Sequence, residues 1–265
     1  MQVCKSPDSN SRIINSPAIF YENKLILHIN LFAMHIITFI IAVFASSFGH
    51  FFYLYITSSK SFENFFSPGP NNNSNHIIFQ RLTGALFFGI IPTLIITKIC
   101  NFTLTDFGIT SGISAESILW ISLLTAFIIP LNYFNSKKPD NLAMYPQIRK
   151  EKWSIALLIA SSLSWIMYLL AYEMLFRGFL LFSSLNIFGY WPAILINTII
   201  YSLVHYHKGP KEIFGAIPLG FILCILTIKT GNFWIAFITH IFLALSNEWF
   251  SLREQMTRNL KKVNI

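Results

Sequence analysis

From Trp153 to Phe182 the chain carries only two charged side chains, Glu173 and Arg177, in a run of apolar and hydroxyl residues long enough to enter or cross a bilayer. No other feature restricts the fold as much. Two positions four residues apart share one helical face, and an acid on the N-terminal side of a base is the better orientation for such a pair. Glu173 and Arg177 can therefore touch. Ionisable groups at that depth are expensive, and they turn toward a bundle interior or a wet cavity, where they pair or do chemistry. The plain alternative is an ion pair that clamps two helices.

The rest of the chain is equally apolar: 54% of its 265 residues are hydrophobic and 11% charged, with a mean hydropathy of +0.57. This excludes an ordinary soluble domain and predicts an all-α, polytopic transmembrane bundle of roughly seven spans. A net charge of +8 raises the question of nucleic acid. The cations lie between apolar runs and near the C-terminal end, however, which reads as membrane topology and contact with the lipid bilayer, with no nucleic-acid partner. Cys4, Cys100 and Cys224 have neither metal-ligand nor disulfide spacing and receive no function. Residues 1–24 are mixed and polar and lack the pattern of a signal peptide.

Leu25 to Ile56 suits one span with an interfacial extension, with His28, His35 and His50 as helix-end or interfacial residues. Ser58 to His76, with Pro68-Gly69-Pro70 and Asn71-Asn72-Asn73, is expected to be a mobile loop. Ile77 to Ile99 forms a second span in which Arg81, near the start, snorkels outward. Glu116 opens a third span, ending about Phe134. Asn135 to Lys152 is the most basic loop, with Lys137, Lys138, Arg149, Lys150 and Lys152, and is expected on the cytoplasmic side. The helix with Glu173 and Arg177 ends near Asn186 to Gly189. Spans follow from Tyr190 to about Tyr206, from the turn at Lys208–Glu212 to Lys229, and from Phe233 to about Leu252. A basic tail, 253–265, shares the cytoplasmic side. Three regions are expected: 1–144, with the first three spans; 145–252, the polar core; and the tail.

Three late segments carry polar residues at helical spacing. Asn197, Tyr201 and His205 are four apart and form one stripe, while His240 and Asn247 are two turns apart on one face. Glu212 stands in the first turn of its helix, where it is at least a favourable dipole partner. A carboxylate and two imidazoles can hold a water, take its proton and stabilise an oxyanion. They are equally the parts of a metal site or a proton relay.

These residues resemble the CPBP family of intramembrane proteases, which includes type II CAAX prenyl endopeptidases and bacteriocin-processing and abortive-infection proteins. The family's Glu-Glu-x-x-x-Arg motif reads Tyr172-Glu173-Met174-Leu175-Phe176-Arg177, its Phe-x-x-x-His reads Tyr201-Ser202-Leu203-Val204-His205, and its His-x-x-x-Asn reads His240-Ile241-Phe242-Leu243-Ala244. Thr230-Gly231-Asn232-Phe233-Trp234 resembles the usual lead-in to the third motif. Tyr172 and Ala244 depart from the pattern. The sequence is similar to a single-glutamate branch with a His-x-x-Lys-Pro-like turn and a following acid, here Glu212.

The resemblance implies an intramembrane endopeptidase acting on a membrane-associated peptide or protein, multi-pass in a bacterial inner membrane with a cytoplasmic C-terminus. It also implies that Glu173 orients or activates water with His205, Arg177 fixes Glu173, and His240 stabilises the oxyanion. Glu212 and Asn247 are auxiliary candidates, Asn247 standing in for the absent asparagine. No cofactor is firmly implied, and a divalent metal such as zinc stays open, since Glu173, His205, Glu212 and His240 could ligate one. The alternatives are an inactive relative that binds a membrane peptide or partner, and a small proton-coupled transporter. The latter is disfavoured because the chain lacks internal repeats.

Overall fold

The computed structural model describes residues 17–66 and 73–263, so Cys4, most of the polar N-terminal stretch and the Pro68–Asn72 part of the expected loop lie outside the described residues. Among the described residues the secondary structure is helical. Helix α1 runs Pro17–Phe44 and continues through a π-helical turn, Ala45–Gly49, into His50–Thr57. A short α2, Lys60–Phe66, precedes α3, which joins Ser74–Ala85 to Ile91–Ile99 through a second π-turn, Leu86–Ile90. Then come α4 (Ala115–Asn135), the short α5 (Pro139–Met144), and α6, in which Ile155–Glu173 passes through a third π-turn, Met174–Leu180, into Leu181–Phe188. The last three are α7 (Tyr190–Leu203), α8 (Pro210–Thr230) and α9 (Trp234–Val263).

The helix boundaries follow from local chemistry. Ser114 accepts a hydrogen bond from the Ser117 backbone and Ser154 one from Leu157, so each satisfies an otherwise orphaned donor at a helix start. Pro139 and Pro210 open their helices where no backbone N–H is needed. Six of the helices are long and apolar enough to cross a membrane, and α7 is a shorter apolar one. The fold is a polytopic helical bundle.

Four contacts define one end of it. The Arg258 guanidinium donates to the Lys137 carbonyl at 2.8 Å, the Arg149 backbone donates to Asn73 Oδ1 at 2.7 Å, Asn141 donates to Ser251 at 2.8 Å, and Lys211 pairs with Asp140. The 136–154 loop, the start of α8 and the C-terminal half of α9 thus sit together. Hydrogen bonding to Lys211 holds the Asp140 carboxyl below its ordinary range. At the opposite end Phe233 N–H donates to the Gly108 carbonyl and Trp234 Nε1 to that of Thr110.

Helix α9 continues without a break through the basic 253–263 stretch. Two expectations change. The connection after Ser58 contains helix α2, whose Phe62 and Phe66 pack on His76 and Phe79 of α3. Arg81 does not snorkel. It is 3% exposed, donates to Gln147 Oε1 at 3.0 Å and to the Ser161 carbonyl, Ser161 Oγ and Ser164 Oγ at 3.0 to 3.1 Å, and lies 4.2 Å over the Trp165 ring. Its counter-ion is Glu248 on α9, 3.3 Å away and also buried, which in turn accepts from the Gln147 backbone. Removing one partner of such a buried pair typically costs about 3–5 kcal/mol, so this cluster binds α3 to α6 and α9.

Candidate active site

Glycine sets how closely the helices carrying the polar residues approach. A Cβ on Gly89 of α3 would lie 2.6 Å from that of Ala171, so only glycine lets α3 press on α6 immediately before Tyr172 and Glu173. Gly220 of α8 faces Tyr201 in the same way, with an added Cβ 2.9 Å from the ring. The third π-turn begins directly after Glu173 and contains Arg177. Single π-turns inside α-helices are frequent at functional sites, because the extra residue per turn redirects side chains.

Glu173 and Arg177 are fully buried and touch, as their spacing predicts. Arg177 Nη1 lies 3.2 Å from Glu173 Oε2 as an ion pair and donates a 3.4 Å hydrogen bond to Oε1. His240 Nδ1 approaches Oε1 at 2.6 Å. Glu173 Oε2 itself makes no hydrogen bond and is buried. Arg177 also stacks on Tyr201, its guanidinium carbon 3.9 Å from the ring centre. One carboxylate therefore gathers a guanidinium from its own helix and an imidazole from α9.

The α7 stripe is used along its whole length. Asn197 donates to the Phe176 carbonyl inside the π-turn at 2.5 Å and accepts from Cys224 Sγ at 3.1 Å, while Tyr201 lies under Arg177. With 14 residues α7 rises only about 21 Å, well short of a hydrocarbon core of about 30 Å. The fifth span thus stops earlier than expected, and His205, just past its end, remains within the bundle, 8% exposed. His205 Nδ1 lies 2.8 Å from the Tyr201 carbonyl. A carbonyl oxygen only accepts, so His205 Nδ1 is the donor of this bond. The His205 ring packs 4.9 Å from Tyr201 and 6.2 Å from Tyr172, and both tyrosines also pack on His240, at 6.4 and 6.0 Å.

Of the auxiliary candidates, Glu212 lies toward the basic end, where Tyr145 Oη donates to it at 3.5 Å. Burial, with Glu212 adding to it, pushes the Tyr145 phenol well above its ordinary value, so Tyr145 is the donor of that bond. Asn247 has its Oδ1 buried without a hydrogen-bond partner, and it does not bond to His240 or Glu173. Ala244 packs with the cluster around Trp165, Leu169 and Phe237. No three His, Cys, Asp or Glu side chains come together in a metal-holding group among the described residues.

Two further residues of this region, Glu248 and Tyr172, gain their roles from tertiary contacts. Glu248, one residue beyond Asn247, was detectable as a carboxylate inside an apolar helix, although its partner Arg81 is 167 residues away. Tyr172, which departs from the motif, packs its ring on both histidines.

Residues 153–246 match the family model described as Type II CAAX prenyl endopeptidase Rce1-like. No curated protein and no solved structure matches the chain.

Proposed function

Because this integral membrane chain belongs, through residues 153–246, to the Rce1-like type II CAAX prenyl endopeptidase family, we propose that it is an intramembrane endopeptidase cleaving a membrane-associated peptide or protein by histidine-assisted attack of water. The observation that carries this reading is the buried Arg177–Glu173–His240 chain, with its 2.6 Å carboxylate–imidazole contact. The Glu173 carboxylate accepts from His240 Nδ1–H and orients the ring, and in the proposed mechanism His240 acts as an imidazolium whose Nε2–H donates to the developing oxyanion. His205, protonated on Nδ1, takes the water proton on Nε2 as hydroxide attacks the carbonyl carbon. It returns that proton to the leaving amine as the C–N bond breaks. Glu173 Oε2, which makes no hydrogen bond, accepts one from the attacking water. Arg177 holds the Glu173 carboxylate in place.

The test uses the full chain in membranes with a panel of C-terminal peptides, farnesylated and unmodified, and unmodified transmembrane peptides. Wild type is expected to cleave at least one of them, and no cleavage across the panel overturns the reading. The departures at Tyr172 and Ala244 favour a second reading, an inactive relative that binds a membrane peptide. Binding without cleavage in the same panel identifies it.

The bundle is oriented with its basic end in the cytoplasm. Lys137, Lys138, Arg149, Lys150, Lys152, Lys211 and Arg258 crowd that end, whereas Lys98 and Lys229 close spans at the other. Cysteines placed singly at Lys150 and Arg258 are expected to be labelled from the same, cytoplasmic side. Labelling from opposite sides overturns the orientation.

A further inference from the structure

The oxyanion site described above has a single side-chain donor, His240, because the residue one turn further along α9 is Ala244, which has no polar group. Tyr172 packs on both His205 and His240 and carries a donor. Its side chain is buried, and its ring is 6.0 Å from that of His240, 6.2 Å from that of His205 and 5.7 Å from that of Tyr201. Its hydroxyl is buried and has no hydrogen-bond partner. The ring itself is tightly held, stacked on Tyr168 at 5.8 Å and packed on Phe176 at 4.6 Å. An orphaned hydroxyl inside a bundle is unfavourable, and phenylalanine would make the same ring contacts without it. Such a group calls for an explanation in function or in an unseen partner.

We propose that Tyr172 is a catalytic residue whose phenolic O–H donates to the substrate carbonyl oxygen as it becomes the oxyanion, sharing that charge with His240. The proposal rests on the endopeptidase reading and adds to it a residue that replaces one motif member and compensates for the loss of another. Tyr172 keeps its proton throughout, so the transfer from water to His205 to the leaving amine is unchanged. In the resting bundle the hydroxyl is left unpaired and poised, and the reacting carbonyl supplies its acceptor.

The variant Tyr172→Phe separates this role from a structural one, because the two predict different signs. Loss of an oxyanion donor lowers kcat by about 10²- to 10³-fold with little change in KM. Loss of an unpaired buried hydroxyl raises the thermal midpoint of the same protein in the same membrane mimetic. Both are measured on full-length chain with whichever panel peptide wild type cleaves. A fall in kcat with a raised or equal midpoint is the expected result. Activity within about threefold of wild type overturns the proposal and leaves the endopeptidase reading standing. A lowered midpoint or failure to fold overturns it too, since the hydroxyl then had a structural partner. Wild type that cleaves no peptide overturns both.

Discussion

Glu173→Gln reduces turnover by at least about 10²- to 10⁴-fold at equal amounts of folded protein. Glutamine fills the same volume and can still accept from His240 Nδ1, so the variant tests charge rather than shape. Without the charge, the imidazolium that the proposed mechanism requires at His240 loses its counter-ion, and the acceptor held by Glu173 Oε2 for water is weakened. The same substitution strands Arg177, fully buried and paired with Glu173 at 3.2 Å, and removing one partner of such a pair typically costs about 3–5 kcal/mol. Stability and turnover therefore fall together in the single variant. The double variant Glu173→Gln, Arg177→Met separates them, since replacing both members of a buried pair by neutral groups is often neutral or stabilising. It is expected to recover the thermal midpoint while remaining inactive. Activity equal to wild type in Glu173→Gln would sink the mechanism and leave the family assignment intact.

His205→Ala lowers kcat by a further independent route, again by about 10²- to 10⁴-fold, with KM little changed. Nδ1 of His205 donates to the Tyr201 carbonyl, 2.8 Å away, and the proposed mechanism uses Nε2 as the base toward water. His205 lies beyond the last turn of α7, so the helix keeps its own hydrogen bonds when the ring is removed. Added imidazole is expected to restore part of the turnover of His205→Ala and none of that of Glu173→Gln. Unchanged kcat in His205→Ala would remove it from the reaction.

Much of this molecule is determined locally. The membrane helices follow from apolar length and cap residues, which is why the expected starts and ends of α3, α4, α6 and α8 fall close to the observed ones. Contact between Glu173 and Arg177, and the common face of Asn197, Tyr201 and His205, depend on the repeat of a single helix and need no tertiary information. Hydropathy, by contrast, states that a segment is apolar without saying which face meets lipid. Arg81 was therefore indistinguishable from a snorkelling arginine until Gln147, Ser161, Ser164 and Glu248, from three other parts of the chain, were placed around it.

The candidate site divides along the same line. The sequence by itself placed a carboxylate, a guanidinium and two imidazoles on three apolar segments at the spacings of known motifs, and so pointed to a protease family. Only the tertiary structure decided that Glu173 bonds His240, 67 residues away, and that Tyr172 packs on both histidines with its hydroxyl unpaired. Those relations depend on how far each helix is rotated and how closely it approaches its neighbours. The π-turn after Glu173, the glycines at 89 and 220 and the early end of α7 set those quantities through steric contact between segments distant in sequence.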